Sequence, residues 1–443
     1  MDDLDRLRDV LQGDLVTPGS PDYEAARRPA FARHGGVRPR AVVRCASVRD
    51  VVQTITYARD SGTPLVPRGG GHCFAGRSTT EGVVLDLGSL SAVAVAPDGR
   101  ARIGAGARLA QVYGALDAHR RAVPAGCGPT VGIAGLTLGG GLGLLGRRYG
   151  LTSDALTAAE VVLADGRVVR CDADREPELF WALRGSGGGQ FGVVTALEFA
   201  TVPEPRVTRV ELRWAGDAAA VVAGVVAAWQ DWAPRAAAEI TVNLSVAAEP
   251  GRPLEVTAFG AALCDRDGTA ALLDGLVSRV DALPDVRLRD DLTVCGLKRS
   301  FAPAGEPTAL TTRSRSELFA RPLPPSTVTA LLDDLCAGPL KGRRELAFTA
   351  LGGAYDEFAP DATAYAHRGA RFLLEHVGED GSEWVDRSWA LAHAHGTGRV
   401  YANFPDVHLE DWASAYHGDH HARLVAAKRA YDPDRLFDFP QAI

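Results

Sequence analysis

The sequence predicts an α+β protein of two lobes, on three observations. Clusters of glycine at 69–71, 126–146 and 185–192 sit among short strands and helices in the first half of the chain. Beyond Pro203-Glu204-Pro205 these clusters vanish, and strands alternate with alanine-rich helices, the pattern of an antiparallel sheet covered by helices. From Val400 onward the signals become dense again, with Tyr401, Asn403, Tyr416, His417, His420, His421 and Tyr431-Asp432-Pro433. These shifts suggest divisions at 1–204, 205–399 and 400–443.

At 443 residues, 46% apolar and 23% charged, the chain is long for a single domain and able to bury a large core. A net charge of −7 with no lysine-rich run argues against a nucleic-acid partner. The seven cysteines are odd in number, widely spread and never C-x-x-C, so they read as reduced thiols rather than a disulfide framework or zinc cluster. Met1-Asp2-Asp3-Leu4-Asp5 lacks the cationic and apolar regions of a targeting peptide. No run of about 18 apolar residues is present to span a bilayer. The expectation is a cytoplasmic protein with no membrane partner.

Residues 4–13 predict a short amphipathic helix. Ala41–Cys45 reads as a strand, and Ser47-Val48-Arg49-Asp50 has the form of a capping box. The helix it opens carries Val51, Val52, Ile55 and Ala58 on one face and ends at Ser61-Gly62. Leu65-Val66 then leads into Arg68-Gly69-Gly70-Gly71-His72. Consecutive glycines admit positive φ and leave no side chain between the main chain and a ligand, and their N–H groups suit an anion-binding nest. Such a loop fits a pyrophosphate, with Arg68 as a charge for phosphate and His72 as a nucleophile. Taken alone, it also reads as a flexible turn with a solvated histidine.

Short strands at 83–87 and 101–103 and a helix over Leu109–Ala118 precede the second signature. This is Ala125-Gly126-Cys127-Gly128-Pro129-Thr130-Val131-Gly132, continuing to Gly143 and closing with Arg147-Arg148-Tyr149-Gly150-Leu151. The residues between its glycines are largely apolar and costly to expose, so the segment is expected to be buried. Gly141, Gly143 and Gly146, with Glu160 downstream, spell a nicotinamide-dinucleotide fingerprint. That motif needs a strand before it and a helix opening on it, and both are missing, so the reading is set aside.

Glu160–Leu163 and Val168–Cys171 flank Asp165-Gly166 as a hairpin. A short helix through Leu179–Leu183 leads to the third glycine cluster and a strand from Val193. Three glycine loops facing one ligand is the economical explanation. In the second lobe, strands are expected at Val207–Trp214, Glu239–Ala247, Leu254–Leu263 and Arg344–Leu351, and helices at Ala218–Trp232, Thr269–Leu283 and Ser326–Leu335. Val221, Val222, Val225, Val226 and Trp229 read as core. His417, His420 and His421 invite a metal, but without a cysteine or a clean H-x₃-H partner they read as solvated or supporting groups.

Arg68-Gly-Gly-Gly-His72, the Gly126–Leu151 signature, Ala164-Asp-Gly-Arg, Leu179-Phe-Trp-Ala-Leu-Arg184-Gly, Tyr401-x-Asn403 and Tyr431-Asp-Pro with Phe437 occur together and in order. In this the chain resembles the berberine bridge enzyme-like branch of the vanillyl alcohol oxidase / p-cresol methylhydroxylase flavoproteins. The resemblance implies a PCMH-type FAD-binding lobe, to which the C-terminal segment returns, and a substrate lobe of antiparallel sheet covered by helices. It implies FAD joined covalently through its 8α carbon to His72. Relatives attach the flavin a second time through a cysteine in Gly-x-Cys-Pro-Thr-Val-Gly. Here Gly128 occupies that position and Cys127 sits one residue early, so attachment through His72 alone is expected.

Further cofactor contacts implied are Arg68, Gly69, Gly70, Gly71, Gly126, Cys127, Gly128, Thr130, Val131, Gly132 and Gly135. The set continues through Gly139, Gly140, Gly141, Gly143, Asp154, Gly192, Val193, Tyr401 and Asn403. Valine at 131 goes with access for molecular oxygen, hence an oxidase releasing hydrogen peroxide. Tyr401, in the family's C-terminal strand motif, is the expected general base, with Tyr416 and Asn403 as second candidates. The family acts on small molecules, and the composition ranks antibiotic tailoring first. A sugar or amine oxidase, a drug-reoxidising resistance enzyme and a non-catalytic drug-binding flavoprotein are the alternatives. A monomer or homodimer is expected.

Overall fold

The computed structural model of the chain describes residues 3–216, 218–302 and 309–443. Its first sheet orders Asp14–Val16, Ala41–Arg44, Val83–Asp86 and Leu65–Arg68. The last three of these strands are parallel, which requires a crossover, and the helix Val48–Ser61 supplies it. The capping box at Ser47 and Asp50 is formed, and Gly62 ends the helix with φ at 64°. Val51, Ile55 and Ala58 are fully buried beneath it. The glycine loop after Leu65–Arg68 therefore starts at the carboxyl end of a parallel strand, where such sheets receive ligands.

A second, antiparallel sheet orders Val93–Val95, Arg100–Gly104, Val193–Ala200, Leu156–Val162 and Val168–Asp172. The expected hairpin across Asp165-Gly166 is its last pair. The helix Leu109–Ala118 packs on the edge strand Val93–Val95 of this sheet, and the short helix Ile133–Leu138 inside the second glycine signature packs on Val193–Ala200. Leu424, Ala427, Phe437 and Ile443 join this first core, so the last segment packs against the first half of the chain.

The third sheet has seven antiparallel strands, in the order Asp285–Leu292, Val207–Trp214, Glu255–Ala262, Ile240–Ala248, Arg344–Ala350, Phe372–Glu379, Thr312–Phe319. Leu244, Val246, Leu346, Phe348, Phe372 and Leu374 are buried on one face, in a core shared with Val225, Trp229, Leu276, Leu331 and Val385 of four covering helices. On the other face Asn243, Ala347, Thr349 and Glu375 stay partly accessible although their strands are interior. Interior strands with accessible side chains mark an open space over that face.

Three of these strands carry little sequence signal. Asp285–Leu292 is an edge strand exposed on both sides, so its charges do not alternate with apolar residues. Thr312–Phe319 and Phe372–Glu379 turn serines and a glutamate toward the open face, which breaks the period-two pattern. The two cores are tied by Arg147, a buried side chain whose guanidinium donates to the carbonyls of Ile240 at 3.1 Å and Pro234 at 2.9 Å, and to those of Leu351 and Ala236.

Candidate functional site

A cavity of about 370 Å³ opens where the three glycine loops meet the C-terminal segment. Gly69, Gly70, Gly71 and His72 line it from the first loop, Val131, Gly132 and Gly135 from the second, and Gly192 from the third. Asn403 reaches it from the C-terminal segment. The first two loops press together backbone to backbone: a Cβ on Gly70 would lie 2.2 Å from the nitrogen of Gly132. Only glycine permits that approach.

The contact brings Thr130 beside His72, with Thr130 Oγ1 at 2.9 Å from His72 Nε2. Burial, and then the charge of Arg108, lower the pKa of His72, which keeps the imidazole neutral and nucleophilic. Nδ1 has no hydrogen-bond partner among the described residues.

Arg68 is not the cavity's cation. Its guanidinium is buried, donates to the carbonyls of Arg27 at 3.2 Å and Ala26, and pairs with Asp86 at 3.2 Å. Those partners saturate it away from the loop. The arginine on the cavity wall is Arg77, stacked 4.7 Å from the Phe439 ring. Arg77 Nε, Ser78 Oγ and Thr79 Oγ1 are buried without partners, which is the state of a polar cradle that a ligand completes.

Asp154 is likewise structural. Its carboxylate pairs with Arg368 at 2.6 Å, with both side chains almost fully buried, and accepts from Leu151 N–H at 2.9 Å. The remaining expected contacts, Gly126, Cys127, Gly128, Thr130, Gly139, Gly140, Gly141, Gly143 and Val193, do not line the cavity. Cys127 is turned to Lys298, whose Nζ lies 3.4 Å from Sγ and donates to the Ala125 carbonyl at 2.8 Å. Cys73, by contrast, lines the cavity.

Tyr401 lies in a turn rather than a strand and does not line the cavity. Its phenolic oxygen accepts from Gly141 N–H at 2.9 Å, Leu142 N–H at 3.1 Å and Asn403 Nδ2 at 2.9 Å. With burial raising its pKa against those three bonds, Tyr401 anchors the 139–143 loop. Asn403 also donates to the Leu136 carbonyl at 2.8 Å, so both amide hydrogens are used. Tyr416 is a second anchor: it accepts from Asp406 N–H at 2.8 Å, and burial pushes its pKa up to about 12.

A titratable carboxylate that sequence reasoning missed is Glu375, which, like Tyr401, is not on the cavity wall. It faces the open side of the third sheet, opposite Ser316 and Ala347. Along the same face Leu373 and Leu318 join the cluster of Tyr401, while Leu310, at the other end of the partner strand, bridges Phe31 on the cavity wall. Glu375 lies between these ends. Burial, and the charge of Glu345, push its pKa up to about 7 against a hydrogen bond from Ser314, where a carboxyl accepts a proton at neutral pH. Phe31, Phe74 and Phe404 form the apolar wall, with ring centroids 4.8 and 5.2 Å apart.

The third loop is held by the C-terminal segment. Buried Lys428 pairs with Asp432 at 2.7 Å and donates to the carbonyls of Gln190 at 2.5 Å and Phe437 at 2.7 Å. His417 is buried with both ring nitrogens unpartnered rather than solvated. Among the described residues no group of three histidine, cysteine or acidic side chains is placed to hold a metal, and no helix is long and apolar enough to cross a membrane.

The family described as FAD binding domain matches residues 39–172, and the one described as Berberine and berberine like matches 400–443. The chain is 30% identical to the FAD-linked oxidoreductase YgaK of Bacillus subtilis, over 98% of this chain and 97% of that one. It is also 30% identical to (R)-6-hydroxynicotine oxidase of Paenarthrobacter nicotinovorans, over 96% and 95%. The solved structure of Physcomitrella patens BBE-like 1 superposes with a TM-score of 0.90 at 25% identity, over 99% of this chain and 98% of that one. The fold is the two-lobed PCMH-type FAD-binding fold, and the chain belongs to the berberine bridge enzyme-like FAD-linked oxidoreductases.

Proposed function

We propose that the protein is an oxidase that takes hydride from a C–H bond beside a nitrogen or oxygen of a small substrate and delivers the electrons to molecular oxygen, forming hydrogen peroxide. The observation that carries this reading is His72, on the cavity wall beside three glycine loops, with its pKa lowered and its Nε2 held by Thr130. The site fits FAD: amides of Gly69–Gly71, Arg77 Nε and Ser78 Oγ suit its phosphates, and His72 suits covalent attachment. When bound, FAD supplies the hydride acceptor and the path of electrons to oxygen. Attachment is through His72 alone, because Cys127 faces Lys298 and is absent from the cavity wall.

The chain's own part is to bind, orient and deprotonate. Glu375 takes the proton from the substrate's amine or hydroxyl, held near neutrality by burial and oriented by Ser314. Phe31, Phe74 and Phe404 pack an aromatic or apolar substrate body and exclude water. Val131, a small side chain on the wall, leaves access for oxygen. The substrate we assign is a small aromatic secondary metabolite of the kind tailored in antibiotic biosynthesis.

The test is acid precipitation of the protein, followed by a peroxide assay on a panel of aromatic amines, aromatic alcohols and oligosaccharides. A yellow washed pellet that turns colourless in His72→Ala, with peroxide from the aromatic compounds, is the expected result. Turnover of oligosaccharides alone would overturn the substrate assignment. A colourless wild-type pellet would overturn the covalent link.

A further inference from the structure

We infer that Thr130 is the positioning residue for flavin attachment: by accepting the Nε2–H of His72 it holds the imidazole in the tautomer that keeps a lone pair on Nδ1. The inference rests on the proposed attachment through His72 and adds the side chain that holds the reacting ring.

His72 and Thr130 are 58 positions apart, yet Nε2 and Oγ1 stand at 2.9 Å. The approach follows from the glycine packing of the first two loops, where neither Gly70 nor Gly132 has room for a Cβ. The threonine is thus fixed by backbone contact rather than by a flexible side chain. A neutral imidazole carries one proton, and the nitrogen that bears it has no lone pair for attack. The lowered pKa of His72 favours that neutral form. A hydroxyl can serve either tautomer, but only the Nε2–H form, with Oγ1 as acceptor, leaves Nδ1 nucleophilic.

Positive charge develops on the ring as Nδ1 attacks, and the Nε2–H···Oγ1 bond strengthens with it, as bonds to charging groups do. In the overall step a bond from Nδ1 to the flavin 8α carbon replaces one C–H bond of that methyl group and the N–H bond of the imidazole. The two electrons and two protons released reduce one dioxygen to hydrogen peroxide.

The experiment compares wild type with Thr130→Val, which keeps the shape and removes the hydroxyl, and Thr130→Ser, which restores it. Freshly purified holoprotein is incubated with FAD, and at intervals the flavin surviving acid precipitation is divided by the total flavin bound. The expected result is attachment at least about tenfold slower in Thr130→Val, as for the loss of a hydrogen bond to a charging group, with total FAD retained and Thr130→Ser close to wild type. Equal rates in wild type and Thr130→Val would overturn the inference while leaving the His72 link intact. Loss of total FAD in both variants would also overturn it, by making Thr130 a packing residue. If Thr130→Val does not fold, Thr130→Ala is judged by the same ratio. Absence of covalent flavin in the wild type would instead remove the reading beneath it.

Discussion

Tyr401 and Asn403 hold one another across a single turn: the amide Nδ2 of Asn403 donates to the phenolic oxygen of Tyr401 at 2.9 Å while its second hydrogen bonds the Leu136 carbonyl at 2.8 Å. The C-terminal segment and the second glycine signature are thereby locked at the point where Asn403 meets the cavity.

Removing that oxygen in Tyr401→Phe leaves two backbone amides and one side-chain amide without an acceptor. The expected cost is about 1–3 kcal/mol of stability, the penalty for stranded buried donors. The pH dependence of turnover is expected to stay that of the wild type. Thermal unfolding and a pH–rate profile check both, and a profile displaced in Tyr401→Phe would return this tyrosine to the proton-transfer step.

Glu375→Gln is expected to do the reverse, keeping the melting temperature and lowering kcat/KM by about 10²–10⁴, the range for loss of a general base. A base works ionised, and its pKa is pushed up to about 7. Wild-type kcat/KM should therefore rise with pH through about 7, and the rise should be missing in Glu375→Gln.

The buried Asp154–Arg368 pair joins the residues after the second signature to the second lobe. Asp154→Ala strands a buried guanidinium and is expected to lose about 3–5 kcal/mol. The double variant Asp154→Ala/Arg368→Met should lose less than Asp154→Ala alone. Urea unfolding of the two proteins decides it.

Burial lowers the pKa of His367, His376 and His417 to about 3 from an ordinary 6.5. Because the folded values are depressed, the stability these groups contribute is complete above 6.5. It drains away as pH falls toward about 3, since the unfolded chain takes up protons that the folded one refuses. Each histidine steepens the fall by at most about 1.4 kcal/mol per pH unit within that window. Urea midpoints measured at pH 7, 6 and 5 test this, and His376→Gln should flatten the slope by about one proton.

Glycine loops were the most legible part of the chain, because close backbone approach leaves few substitutes for glycine. Gly69–His72, Val131, Gly132, Gly135, Gly192 and Asn403 all reach the cavity wall. What sequence could not separate was the wall from the layer behind it: Gly139–Gly143 has the same composition as the wall but is pinned by Tyr401 and Tyr355. Arg68 and Arg77 differ in where the chain aims them, and it is Arg77, farther from the glycines, that lines the cavity. Glu375 gave no local signal at all. It sits in Phe-Leu-Leu-Glu-His, a run that reads as core, and its role depends on cross-strand neighbours far away in sequence.

The bond from Lys428 to the Gln190 carbonyl spans 238 positions. During synthesis, therefore, the third glycine loop emerges long before the segment that holds it in place. A nascent chain paused in the second lobe exposes an unfinished cradle, and capture of the flavin belongs after translation has passed the helix His421–Tyr431 that carries Lys428. Cofactor supply and completion of the chain are thereby coupled, and a ribosome stalled upstream of Lys428 would carry a protein that has yet to acquire its colour.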